Sequence, residues 1–500
     1  MVAIACLVAE DHHPVRALGW WLLAVHGEGH RDRMDHQHHE HAPDRPGGRR
    51  ARSRWWAAGL AGMTGLALTA AGVTAGPAAD AVAHTLTSTG SEGPHGSSAE
   101  DDRGRPDDGK HDDKGKDDKD RGEKGKKPKG VPVPCKADAL IAAITLANAR
   151  GGAILDLATK CTYLLTADID GAGLPAITTP ITLNGGKHTT IKRAAGVDPF
   201  RILTVEVGGD LTLNKLTITG GHTTDSGGAI LVNAGGALTT NHSTITYNIT
   251  GAAGGGISNF GITRINRSTV DHNTAGSSGG GIVSTAVLEI SKSHISANTA
   301  DLGGGVSSAE GAVRVERSAI AANHAQSLAG GLLMESGVGI VADSRITDNA
   351  STSSGGIFLG GGQFTLRRVT LARNTSSEND GGGLRSNPEA SVVIEDSLVE
   401  NNTAAAAEAD GGGIYSAGKL VLRHTKIIGN RAGDQGGGIN NESTSVATLF
   451  ATKVVRNIAV VEGGGIFNEG GTVELNPATG TVVVDNRPDN CAGDVPGCAG

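Results

Sequence analysis

Aromatic residues are scarce: Phe, Trp and Tyr make up 3% of the 500 positions. All four tryptophans, Trp20, Trp21, Trp55 and Trp56, lie near the start of the chain. Beyond them stand only Tyr163, Tyr247 and Tyr415 and Phe200, Phe260, Phe358, Phe364, Phe450 and Phe467. Flat rings supply much of the rigid contact area of binding sites, and some of these must fill the core. The shortage favours a surface or binding module over an enzyme with a strong sugar site. A large charge excess is also missing: the net charge is −8, so nucleic acid is not an expected partner. The repeats show no paired runs of 3.6-residue apolar periodicity, which excludes a helical repeat.

What is present is one phrase, repeated. It reads S-T-V-D-H-N-T-A-G-S-S-G-G-G-I over Ser268–Ile282. Its asparagines are Asn248, Asn273, Asn298, Asn323, Asn349, Asn374, Asn402, Asn430, Asn457 and Asn486, spaced 25 to 29 residues apart. A fixed period of this size marks a solenoid. Short alternating runs such as Leu288-Glu289-Ile290 read as strand, and glycine triplets in every repeat would ruin helices. Each unit is therefore one coil, of about 25–30 residues, of an all-β parallel solenoid. Equivalent residues then stack about 4.8 Å apart, giving roughly 43 Å from Asn248 to Asn486. Three residues before each Asn runs an apolar file from Ile245 to Val483, and five before runs a mostly Ser/Thr file from Ser243 to Thr452. Buried polar files must hydrogen-bond to their own copies or to backbone. The glycines suit turns with positive φ and close approach of stacked backbones.

Upstream of the repeats, residues 1–83 read as an N-terminal extension and signal. Arg49, Arg50, Arg52 and Arg54 precede an uncharged stretch, 55–76, and Ala-x-Ala exits follow at Ala79–Ala81 and Ala81–Ala83. Basic, apolar and small-residue regions in that order are the pattern of a secretory signal. The alternative is an uncleaved anchor, the one expected route to a membrane. Met1 and Met34 both remain candidate starts, and Arg49-Arg50 fits a twin-arginine route. His36, His38, His39 and His41 look like a metal cluster but lie before the signal and would be lost with it. Residues 84–134, rich in Gly, Ser, Pro, Asp and Lys, read as a solvated, disordered linker. The expected location is secreted or on the cell surface.

The domain is placed at 135–500. An open solenoid end exposes core and strand edges, so a cap is needed. Residues 135–152 supply it: Leu140, Ile141, Ile144 and Ala147 fall on one helical face, and Gly151-Gly152 ends the helix. Five cysteines occur, with Cys6 upstream of the signal. The other four sit in two local pairs at the solenoid ends. In an exported chain they read as Cys135–Cys161 and Cys491–Cys498 disulfides, the second within a C-terminal clasp at 487–500.

The stretch C-K-A-D-A-L-I-A-A-I-T-L-A-N-A-R-G-G-A-I-L-D-L, followed by C-T-Y-L-L-T, resembles the leader of bacterial exported right-handed parallel β-helix proteins of the pectin-lyase-like group. The I-x-x-N and G-G-G-I repeats are similar to those of polymorphic outer-membrane proteins. Over residues 135–490 this resemblance implies a right-handed β-helix. Such a fold hosts lyases, hydrolases, adhesins and inert surface proteins alike. The N-T-D, D-D, G-H-G, R-I-K set by which pectin hydrolases resemble one another is not reproduced. Asn374-Thr375 is followed by Ser376, G-H-G is missing, and Ile191-Lys192-Arg193 falls out of order, so polygalacturonase activity is not expected.

Two charged stripes remain. Glu378, Asp380, Glu408 and Asp410 precede glycine triplets, with Asp434 and Glu462 in related places. Stacking brings these acids close, either as solvated turns or as a half-buried site needing Ca²⁺, which takes six to eight oxygens. Six residues before each Asn lie His242, Arg267, Lys292, Arg317, Asp343, Arg368, Asp396 and His424. This file is a solvated face that discourages edge association, or a track for an acidic polysaccharide. Gly413–Lys419 lacks the Ser/Thr and helix of a phosphate loop. The expected function is a structural, adhesive or glycan-binding module whose partner is a polysaccharide or cell-wall glycan. The alternative is a polysaccharide lyase or glycoside hydrolase.

Overall fold

The computed structural model describes residues 130–499. The signal segment and the linker up to residue 129 lie outside the described residues. The linker stops short of its expected end at 134: β1 (Val131–Val133) pairs in parallel with β2 (Ala153–Leu157). The burial of Val133 explains the difference, because it gives this short strand an apolar anchor that a solvated linker lacks.

One coil shows how the sequence folds. Ile282–Ser284 and Val287–Ser291 run along the first face, His294–Ser296 along the second and Thr299–Leu302 along the third. Each strand pairs in parallel with its copy in the next coil. The result is an all-β parallel solenoid with sheets of 24, 13 and 10 strands. Alternation sends Leu288, Ile290 and Ile295 inward, all essentially unexposed. Burying each such side chain stabilises by about 1.5–3 kcal/mol over leaving it in water.

Corners set the coil shape. Lys292 (φ 51°) turns the chain from the first face to the second, and Ala297 (φ 52°) turns it onto the third. Left-handed backbone costs an L-residue about 1–2 kcal/mol, so each corner needs a compensating bond. The next residues, Ser293 and Asn298, supply it by pointing inward to hydrogen-bond neighbouring coils. The third corner is the glycine triplet. Its first residue has positive φ at Gly279 (65°), but Ala329 (57°) and Ser354 (63°) hold the same place. Its second and third residues are constrained by space. A Cβ on Gly280 would meet Gly304 O at 2.5 Å, and one on Gly281 would meet Gly305 O at 2.6 Å.

The ten asparagines form a single buried file. Asn298 is representative: its Nδ2 donates to Val270 O (2.9 Å) in the preceding coil and to Asn323 Oδ1 (3.0 Å) in the following one. Its Oδ1 accepts from the backbone N–H and the Nδ2 of Asn273, both at 3.0 Å. Every amide capacity is used, so the buried file costs no unpaired polar group. The file begins where Gly221 N–H donates to Asn248 and ends on Asn490 Oδ1. A second ladder, on the outer surface, runs the other way: Asn241 donates to Asn214, and Asn214 to Asn184.

Both ends are closed. Helix α1 (Ala137–Ala149) buries Leu140, Ile144 and Ala147, while Ile141 is only partly covered. Tyr163 Oη donates to Val133 O at 2.9 Å, tying β1 to the first coil. Disulfides join Cys135 to Cys161 and Cys491 to Cys498. No helix among the described residues is long and apolar enough to cross a membrane.

Candidate functional site

After each glycine corner the first face opens with three strand residues, the outer two pointing inward and the middle one out; in two coils the strand runs on, as Ile357–Arg367 and Leu384–Glu395. Register aligns the middle residues of successive coils as Phe358, Arg385, Tyr415, Asn440 and Phe467. Three of the scarce aromatic residues are thus gathered into one outward file. The Arg385 guanidinium lies over the Tyr415 ring, 5.2 Å from its centre. Asn440, between Tyr415 and Phe467, is 0% exposed, and neither its Nδ2 nor its Oδ1 has a hydrogen-bond partner.

Two rims flank this floor. The first is built by the residue preceding each glycine corner. Asp380 Oδ1 accepts from the Asp410 backbone N–H (3.0 Å), and Asp410 Oδ1 accepts from the Gln435 backbone N–H (2.8 Å). Gln435 Nε2 donates to Glu462 Oε1 at 3.0 Å. Arg385 reaches this rim, 3.5 Å from Asp380 Oδ2 and 3.2 Å from Ser353 Oγ. The opposite rim carries Glu442 and Glu469, each just after a floor strand. Burial, with Asp380, Asp434 and Glu469 nearby, pushes the Asp410 carboxyl up to about 7 despite the Gln435 hydrogen bond. Burial foremost, then Glu442, Asp380 and Glu469, also raises the Tyr415 hydroxyl, against the opposing pull of Arg385.

The four acids read as a metal set are only half assembled. Asp380 and Asp410 are half-buried because each caps a backbone N–H of the next coil. Glu378 and Glu408 meet no such donor and stay exposed. Among the described residues, no three His, Cys, Asp or Glu side chains converge to hold a metal ion. The residues present do not assemble the oxygen-rich cage that Ca²⁺ takes.

The second stripe proves to be a corner file. His242, Arg267, Lys292, Arg317, Asp343, Arg368, Asp396 and His424 all have φ between 46° and 52° and are all exposed. Part of it neutralises itself. Arg368 binds Asp343 through two hydrogen bonds (2.6 and 2.8 Å), which holds that carboxyl below its usual range. His424 lies 3.8 Å from Asp396. Shallow clefts lie along the file, one of about 390 Å³ beside Lys187, Lys215 and His242.

Sequence reasoning missed the outward floor. Its signal was the middle position of each post-glycine triplet, Phe358, Arg385, Tyr415, Asn440 and Phe467. Two rings of one kind, Phe358 and Phe467, are separated by Arg, Tyr and Asn, so the file is not visible as a repeat.

The coil geometry and its ladders define a β-helix repeat protein. Residues 282–459 match the family model described as a right-handed β-helix region, so the central coils are similar to that family. No curated protein matches the chain. No solved structure matches it.

Proposed function

We propose that this chain is an exported or cell-surface β-helix protein that binds an extended glycan in the first-face groove without transforming it. The observation that carries this reading is the floor file: an arginine, two rings and an unpaired amide in register between two polar rims. Sugars are held by ring faces packed on aromatics and by hydroxyls bonded to fixed polar groups. Stacked coils repeat such contacts along the axis, which suits a polymer. Two disulfides fit an oxidising compartment, and the signal-like segment at 55–76 is the proposed route there. The test is a binding screen of the full chain against neutral, cationic and anionic oligosaccharides, repeated with Tyr415→Ala. Loss of binding in the variant supports the groove. Undiminished binding moves the site elsewhere.

One observation favours an enzyme as the second reading. Asp410, with its carboxyl raised to about 7, stands beside Asp380, whose partner is Arg385. A carboxylic acid held protonated near neutrality beside a second carboxyl is an arrangement that glycoside hydrolysis uses. New reducing ends released by the wild type, and abolished by Asp410→Asn, would establish it.

A further inference from the structure

Resting on the groove-binding reading above, we infer that the glycan bound there carries free amino groups, so that its ligand class is a cationic amino-sugar polymer rather than an acidic one. The first argument is charge. Asp380 and Glu462 stand on one rim, beside the protonated Asp410 carboxyl, and Glu442 and Glu469 on the other, against one cation, Arg385. Arg385 is already committed to Asp380 and to the Tyr415 ring. The groove therefore keeps a surplus of carboxylates around a half-buried floor, where charge is screened less than in open water. A uronate polymer would add like charge to that surplus, and an ammonium-bearing one would offset it.

The second argument is independent of charge. Asn440 offers two donors and an acceptor, and none is used. A buried unpaired amide costs about 1–3 kcal/mol per unmade bond. The floor strand tolerates it between Tyr415 and Phe467. An amino sugar seated over those rings, with a small displacement of one of them, supplies both kinds of partner. Its hydroxyls accept from Nδ2 and donate to Oδ1, while its ammonium faces the rim carboxylates. Ring stacking, amide pairing and a cation are then met by one sugar type.

The test uses the full chain and three probes of equal length: a glucosamine hexamer, an N-acetylglucosamine hexamer and a hexagalacturonate. Binding is measured by calorimetry at pH 6 in low and high salt. The expected result is preference for the glucosamine hexamer, weakened by salt. Glu442→Gln with Glu469→Gln should weaken it about tenfold or more, and leave folding intact because Glu442 and Glu469 pair with no floor residue. Equal binding of the acetylated and free-amine hexamers would overturn the cationic class while leaving the glycan groove standing. Preference for hexagalacturonate would overturn the charge argument. Failure of all three probes would overturn both readings. Tyr415→Ala separates the sites: loss of glucosamine binding supports the groove, and retention overturns it.

Discussion

Asp410 and Asp380 are joined across coils: the backbone N–H of one donates to the carboxylate of the other at 3.0 Å. The bond fixes the two side chains in adjacent coils of a half-buried rim, and burial holds Asp410 protonated far above the ordinary carboxylate range. Such a group makes stability fall with rising pH. Unfolded Asp410 releases its proton near 3.8 and folded Asp410 near 7, so the folded state binds more protons in between. The contribution is fully present below pH 4 and is lost as pH rises through 7. Asp410→Asn keeps an acceptor for the Gln435 N–H and removes the titration. Relative to wild type, the variant should gain on the order of 2 kcal/mol between pH 4.5 and 8, roughly half the unscreened linkage value because the rim is partly solvated. Denaturant melts at the two pH values measure it. Parallel shifts at both would show that Asp410 titrates normally.

The buried asparagine file makes a sharper prediction. Asn374 accepts two hydrogen bonds from Asn349 and donates to Ile346 O and Asn402 Oδ1. Asn374→Ala strands the Asn349 N–H, one Asn349 Nδ2 hydrogen and Ile346 O inside the coil, while Asn402 Oδ1 keeps the residue-374 backbone N–H. Unpaired buried groups cost about 1–3 kcal/mol each, so a loss of about 3–5 kcal/mol is expected after local relaxation. Tyr247→Ala, at an exposed corner of the same design, should stay within about 1 kcal/mol. Equal losses in chemical denaturation would mean that the file is not what holds the coils.

Adjacent glycines should respond differently to the same substitution. Gly411 is the positive-φ member of its triplet (64°), a place that Ala329 and Ser354 fill elsewhere. A Cβ on Gly411 would lie 2.7 Å from Ile414 O, a crowding that the coils carrying Ala329 and Ser354 accommodate, so Gly411→Ala is expected to cost about 1–3 kcal/mol. Gly412 faces the backbone of Arg431, 2.3 Å from where a Cβ would sit. Main chain cannot step aside as a side chain can, so Gly412→Ala should cost more than about 3 kcal/mol or fail to fold. Melting temperatures of the pair decide it, and a reversed order would contradict the steric account.

How much of this was legible depended on whether a feature repeats in kind. Asn248 through Asn486 could be aligned because each coil must meet its neighbour's amide with an identical one. The corner file from His242 to His424 was legible as a stripe, but its left-handed backbone was not, since the Lys and Arg that fill half of it carry no such signature. The outer ladder through Asn184, Asn214 and Asn241 kept the same period and was legible in principle. The groove floor was not: a cation, two rings and an amide, Arg385, Tyr415, Phe467 and Asn440, follow no common residue type. Only the register shows that they are neighbours. The acidic rim fell between these cases. Its members were visible before the glycines, but which ones turn inward depended on backbone donors that no spacing reveals.

The end clasps should act locally, because a solenoid coil contacts only its neighbours. Cys135–Cys161 spans 26 residues and anchors the segment between β1 and α1 to the loop ahead of Thr162–Leu165. Replacing both cysteines with serine should cost about 2–4 kcal/mol at that end by the chain-entropy argument. The Cys491–Cys498 loop, with a separation of only 7, should cost less. Hydrogen exchange discriminates local fraying from global loss. In the Cys135→Ser, Cys161→Ser variant, amides of α1 and of Thr162–Leu165 should exchange faster, while those around Asn374 keep wild-type protection. Each coil in between is held by its own asparagine bonds and apolar file, which the cap does not touch. Uniform loss of protection along the whole rod would show instead that the cap nucleates the solenoid and that the coils do not stand on their own ladders.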